Sequence, residues 1–227
     1  MELAEKTGFD FADARARMVA TQLERRGITD GPVLRAMGEV PREAFVEPGL
    51  AEFAYEDRAH PIPEGQSISQ PYIVGLMLAA AGLKPGEKLL EIGAGSGYAA
   101  AAASRIVKQV FAIERLAPLA NAAEQRFHKL GYRNIALKVG DGSKGWPEVA
   151  PFDAILVAAA GPAPPESLKA QLAFGGRLIM PIGPDGRQIL KRITRLDENS
   201  YQETGLGVVT FVPLIGAEGW QTPDLSW

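Results

Sequence analysis

Cysteine is absent from the 227 residues, which excludes disulfides, thiolate metal sites and a cysteine nucleophile. Only two histidines occur, His60 and His128, so a histidine-built metal site is not expected and no metal is assigned. Charge of one sign is lacking as well. The net charge is -3, with no basic excess or stripe of the kind that tracks a nucleic acid. Long hydrophobic runs are missing, since the longest, near residues 73–81, falls short of the roughly 20 apolar residues that span a bilayer. Residues 1–10 carry Glu2, Glu5 and Asp10 with no apolar run behind a basic start, and so do not read as a secretory signal. The expectation is a cytoplasmic monomer that engages neither membrane nor nucleic acid.

What is present is ordinary for a globular chain: 46% hydrophobic and 22% charged residues, in a length that suits one large α/β domain. Residues 11–26 read as an amphipathic helix, with Met18, Val19 and Leu23 on one side and Gly27 ending it. Thr29 or Asp30 caps a short helix through Met37, and Pro41 starts another around residues 42–46. Residues 55–66 (YEDRAHPIPEGQ) are polar and broken by Pro61, Pro63 and Gly65, which predicts an ordered loop with His60 solvated in it. Pro71 opens a helix to about Ala81.

From Lys84 the text alternates strand, turn and helix. Strands are predicted at residues 88–92, 109–113, 135–139, 153–157 and 177–181, and helices at 98–107, 118–130 and 167–172. This alternation implies a doubly wound, mostly parallel sheet with helices on both faces, a Rossmann-like α/β fold. Residues 188–196 and 205–212 alternate as an antiparallel pair, which predicts a mixed far edge. One domain results: helices and a serine segment over 1–82, a nucleotide-binding core over 83–214, and a loosely held tail over 215–227.

Glu91, Gly93, Gly95 and Gly97 lie between a predicted strand and a predicted helix. Glycines there let the chain turn sharply and let a ligand approach the backbone. The spacing G-x-G-x-G differs from the dinucleotide fingerprint, whose third glycine comes one place later, which argues against a nicotinamide oxidoreductase. Glu91 would repel a pyrophosphate but would suit an ammonium or sulfonium ligand. Glu114 ends the second strand, 19 residues after Gly95, where an acid can accept both ribose hydroxyls. Asp141 and Gly142 follow the third strand, and Asp141 there can accept from an adenine amino group.

E-x-G-x-G-x-G of this form resembles the first motif of class I S-adenosylmethionine-dependent methyltransferases. The segment Gln66, Ser67, Ile68, Ser69, Gln70, Pro71 resembles the T/S-I-S-x-P active-site segment of the protein L-isoaspartate O-methyltransferases. The likeness continues through residues 89–98, 140–142, 151–155, 175–179, 181–183 and 211–214, in family order. It implies S-adenosylmethionine as cofactor, held by Glu91, Gly93, Gly95, Gly97, Glu114, Asp141 and Gly142. It further implies methylation of the α-carboxylate of L-isoaspartyl residues in damaged proteins and peptides, starting repair through a succinimide. On the same likeness Ser69 is the catalytic-site serine, with Ser67 and Gln70 beside the substrate. Without the likeness, Ser69 reads as a helix N-cap. Val74 stands where some family members carry histidine, and the tail with Trp220 and Trp227 departs from the family. The alternatives are a relative that methylates another carboxylate, such as an aspartate in a modified peptide, and a cofactor-binding module without catalysis.

Overall fold

The computed structural model describes residues 8–184 and 186–221. Expectations for residues 1–7 and for Trp227 lie outside the described residues. A seven-stranded sheet forms the centre. It consists of β3 (Lys88–Ile92), β4 (Gln109–Glu114), β5 (Ile135–Val139), β6 (Phe152–Val157), β7 (Leu172–Ile182), β8 (Gln188–Arg195) and β9 (Tyr201–Val209), in the order β5-β4-β3-β6-β7-β8-β9. The first five pair in parallel, while β7 with β8 and β8 with β9 pair antiparallel. The expected fold class is thus observed, including the mixed edge.

Side chains of successive strand residues point to opposite faces, and the buried residues divide accordingly. Leu89, Val110, Ala154 and Leu156 belong to one apolar cluster, and Leu90, Ile92, Ile113, Ile155 and Val157 to the other. Both faces are therefore covered, as a parallel sheet demands. On the first face lie α1 (Phe11–Met18), α2 (Gly31–Glu39), α3 (Pro71–Ala81) and α4 (Tyr98–Ser104), which contribute Met18, Met37, Leu78 and a run of buried alanines. Residues of α5 (Ala117–Lys129), Leu119, Ala123 and Phe127, join the same cluster, and Leu168 of α6 (Glu166–Ala170) joins the other. Each fully buried Leu or Ile contributes roughly 1.5–3 kcal/mol of transfer free energy, so the two clusters anchor the strand ends that carry the site.

Several boundaries differ from expectation. The helix over 11–26 is α-helical only through Met18, continues as a π-turn over Val19–Leu23 and tightens to a 3-10 turn over Glu24–Arg26. Asp30, rather than Thr29, caps α2, its carboxylate accepting from the Val33 amide at 3.0 Å. The segment 55–66 is not all loop: β1 (His60–Ile62) pairs with β2 (Gln66–Ile68) in an antiparallel hairpin. His60 is accordingly buried, at 2% exposure, and not solvated.

The described part of the tail, through Gln221, is not loose, and the expectation for residues 222–227 lies outside the described residues. The Trp220 indole donates to the Ala160 carbonyl at 3.0 Å, the Ala217 amide to Asp141 at 2.8 Å, and the Glu218 amide to the Ser143 hydroxyl at 3.0 Å. The Glu218 carboxylate accepts from both the amide and the hydroxyl of Ser167. Residues 214–221 form a strap bonded to the loops beyond β5 and β6. No helix among the described residues is long and apolar enough to cross a membrane.

Candidate active site

The chain runs outward from β3 to β4 and β5, then returns to β6 on the other side of β3. Such a reversal opens a crevice beyond the carboxyl ends of the strands. A cavity of about 350 Å³ lies there. Its floor is the turn after β3 with the end of β4, its sides are Ala158 and Ala159 after β6 and residues 212–215 leading into the strap, and its cover is the β1–β2 hairpin through residues 65–69.

Two acids stand at the ends of neighbouring strands. Glu114 is 6% exposed, and its carboxylate already accepts two backbone amides, Gly95 through one oxygen and Leu116 through the other, each at 2.9 Å. It ties the glycine turn to its own strand. Glu91 is 2% exposed, and its Oε2 has no partner. Burial, reinforced by the charge of Glu114 and opposed by the Ala100 amide, pushes the Glu91 carboxyl up to about 8. A buried, unpartnered carboxylate is costly. At neutral pH the group avoids that cost by keeping its proton, and a cation in the cavity would remove the cost from the ionised form.

The glycines divide by task. Gly93 and Gly95 line the cavity; Gly95 has φ +53°, and a Cβ there would meet Ile62 of the hairpin at 3.5 Å. The hairpin therefore sits directly over the turn. Gly97 is not among the lining residues: its φ is +87°, and a Cβ would lie 2.6 Å from the Phe127 ring, so it lets α4 pack on α5. Gly142 lines the cavity, whereas Asp141 does not. Asp141 caps the 3-10 turn Gly142–Lys144, accepting from the Ser143 amide and hydroxyl at 2.9 and 2.7 Å while its other oxygen holds the strap. Burial pushes the Asp141 carboxyl up, but the Ala217 amide, the Ser143 donors and the Lys144 charge more than offset this and hold it below its ordinary value.

Ser67 and Ser69 both line the cavity, Ser67 exposed and Ser69 half-buried. Ser69 is not a helix cap, because the capping position of α3 is Gln70 and no side chain caps it. The Gln70 amide instead donates to the backbone and carboxylate of Asp57, at 3.0 and 2.7 Å, outside the cavity lining. Val74, 5% exposed, lines the cavity as an apolar wall. Sequence reasoning missed residues 212–215, Ala158, Ala159 and Tyr98 as lining residues. Their positions follow from how the strap and α4 pack, for which no local pattern exists.

Comparison with known proteins agrees with this geometry. Residues 14–219 match the family model described as protein-L-isoaspartate(D-aspartate) O-methyltransferase. The chain is 55% identical to the protein-L-isoaspartate O-methyltransferase of Methylorubrum extorquens over 94% of its own length and 93% of the relative's. It is 53% identical to the Brucella anthropi protein of the same name, over 96% and 99%. Among solved structures, a protein-L-isoaspartate O-methyltransferase aligns with a TM-score of 0.81 at 29% identity, over 90% of this chain and 67% of that one. A Plasmodium falciparum chain named for the same activity, in complex with S-adenosyl-L-homocysteine, aligns at 0.77 and 29%, over 88% and 98%. A crevice with a cation-seeking acid, a serine hairpin over it and this likeness along nearly the whole chain lead to one assignment: the chain belongs to the protein-L-isoaspartate(D-aspartate) O-methyltransferase family.

Proposed function

We propose that this enzyme methylates the α-carboxylate of L-isoaspartyl residues in damaged proteins and peptides, with S-adenosylmethionine as methyl donor. The observation that carries the reading is the unpartnered Glu91 oxygen inside the cavity that Ser67 and Ser69 cover. A carboxyl raised to about 8 keeps its proton at neutral pH in the ligand-free cavity and ionises readily only beside a positive charge, which suits a cationic ligand and not a phosphate. The residues present therefore fit this cofactor, whose sulfonium-borne methyl is the electrophile that the reaction needs. The relatives' shared name favours the isoaspartyl acceptor over an aspartate in a modified peptide.

In this reading Glu91 faces the cationic, amino-acid end of the cofactor. Gly93, Gly95 and Gly142 let it approach the backbone, and Glu114 accepts the ribose hydroxyls with the lone pairs its two amides leave free. Gly97 contributes by setting α4 against α5. Asp141 bounds the adenine region by fixing the turn at Gly142. Ser69 donates a hydrogen bond that aims the acceptor carboxylate, with Ser67 at the cavity mouth and Gln70 holding the segment through Asp57. A carboxylate is already an adequate nucleophile, so the protein need supply neither a base nor a covalent intermediate, and in-line positioning accounts for most of the acceleration. The neighbouring backbone nitrogen then displaces methanol from the ester, closing the succinimide without further help. The enzyme acts as a cytoplasmic monomer, and its net charge of -3 gives it no reason to seek nucleic acid.

Transfer of labelled methyl to a synthetic isoaspartyl peptide, against its aspartyl twin, tests the function; equal labelling of the two defeats it. For the serine, Ser69→Ala is expected to keep cofactor affinity. Turnover should drop about ten- to a hundredfold, the worth of roughly 1.5–3 kcal/mol for one hydrogen bond to a charged group. Full turnover in that variant passes the role to Ser67.

A further inference from the structure

Arg42 is fully buried in the 3-10 turn Arg42–Phe45. Its Nε donates to the Ala54 carbonyl and its Nη2 to the Ser69 carbonyl, both at 2.7 Å, while Nη1 is buried without a partner. The guanidinium carbon stands 4.7 Å from the centre of the Tyr98 ring. Ser69 and Tyr98 both line the cavity, so the cation lies directly behind its wall.

Buried Arg177 pairs with Glu87 at 3.0 Å and half-buried Arg15 with Glu43 at 3.0 Å, while half-buried Arg126 donates to the Ser96 carbonyl at 2.7 Å. Among the described residues no carboxylate forms an ion pair with Arg42. Burial pulls its pKa down, with Tyr98 and Tyr55 opposing, yet a guanidinium keeps its proton at neutral pH. A buried cation without a counter-charge is expensive to maintain. The cavity on the other side of Ser69 has the converse problem. It holds the acids Glu91 and Glu114, and an acceptor that is itself a carboxylate must enter beside them.

We propose that Arg42 is a positioning residue for the acceptor: its carbonyl bonds fix the Ser69 backbone, and its unneutralised charge behind that wall favours an anionic acceptor over a neutral one. The proposal rests on the isoaspartyl reading above. Like charges repel more strongly across a low-dielectric interior than in water, so a cation on the wall matters most for the acceptor that the two acids would otherwise turn away.

The test uses the enzyme loaded with S-adenosylhomocysteine and two β-linked peptides, one with the α-carboxylate and a twin with an α-carboxamide. Calorimetry on the wild type should give the carboxylate peptide about tenfold or more advantage. In Arg42→Met the advantage should fall below about threefold, while S-adenosylhomocysteine affinity stays within about threefold of the wild type. Arg42→Lys keeps the charge but loses the fork, so it should retain the preference while kcat falls, since one ammonium cannot serve both carbonyls in the same geometry. Equal binding of the twins by the wild type, or an undiminished preference in Arg42→Met, overturns the proposal. A mere strut would weaken both peptides alike and leave the preference intact. Should Arg42→Met not fold, Arg42→Lys decides, because loss of the preference with the charge still present overturns it. A wild type that methylates isoaspartyl peptide but binds the twins equally refutes only Arg42. One that does not methylate it refutes the function and this inference together.

Discussion

The ends of β3 and β4 lie side by side in register and each carries a buried glutamate, yet the two acids are in opposite states. Glu114 has an amide on each oxygen and serves the protein before any ligand arrives. Glu91 has an orphaned oxygen and a carboxyl raised to about 8. One acid completes the fold and the other strains it, and the difference lies in what the next residues do. The chain after Glu114 bends back so that Leu116 can donate to it, whereas after Glu91 the amides of Gly93 and Ala94 turn away to the Ile113 carbonyl, at 2.8 and 3.2 Å. Stability has been forgone at β3 in a place where a cation can restore it.

The sharpest way to break this contrast is Glu114→Ala. Two part-buried amides lose their acceptor, each costing up to about 1–3 kcal/mol, and the ribose contacts go with them. Thermal unfolding should show a large drop without ligand, and calorimetry a loss of cofactor affinity of roughly ten- to a hundredfold or more. A variant that melts like the wild type would mean the glycine turn does not need its tie to β4.

Glu91→Gln should move stability and binding in opposite directions. A carboxyl raised in the folded state contributes stability fully present below its ordinary value of 4.5 and lost as pH rises through about 8. The ligand-free wild type should therefore weaken from pH 5 to pH 9 relative to the glutamine variant, which has nothing to titrate at that position. At pH 8 to 9 the variant should melt higher. Its cofactor affinity should be lower by about ten- to a hundredfold, the worth of one charge-assisted contact. Parallel melting curves across that range would show that Glu91 is solvated after all.

Legibility in the sequence followed the range of the forces at work. β3 and β5 end where periodicity and turn residues put them, because a buried strand between glycine turns is a local pattern. The glycine turn and both acids were readable for the same reason. β7 begins at Leu172, five residues before the expected start, because Gly175 and Gly176 look like a break but sit in a bulged strand beside Phe152. The hairpin was hidden by Pro61, Pro63 and Gly65, which are turn signals, and its strands of three residues are too short to alternate visibly. His60 is buried as part of that hairpin. Arg42 gave no signal, since its partners stand 12 and 27 residues away. The strap is the extreme case: it has no period, and backbone and side-chain groups 51 to 76 residues distant in sequence hold it.

The strap supplies the mildest test, and it bears on how β5 differs from its two neighbours. The acid after β5, Asp141, faces the strap where Glu91 and Glu114 face the cavity. Its depressed pKa contributes stability that is present above its ordinary value of 3.8 and lost as pH falls through the folded value, so acid should loosen the strap early. Asp141→Asn keeps one acceptor oxygen but presents an amide nitrogen to another donor, so either Ala217 or Ser143 loses its partner. Global stability should fall by only about 0.5–1.5 kcal/mol, the net worth of one hydrogen bond. Hydrogen exchange should localise the damage, with amides of residues 215–221 opening faster while those of β3, β4 and β6 are unchanged. Cofactor affinity should fall only a few-fold, because residues 212–215 still line the cavity although less firmly. A loss of about a hundredfold, with exchange in the strap unaltered, would instead mark Asp141 as a direct partner of the adenine amino group and make it the third acid of the site.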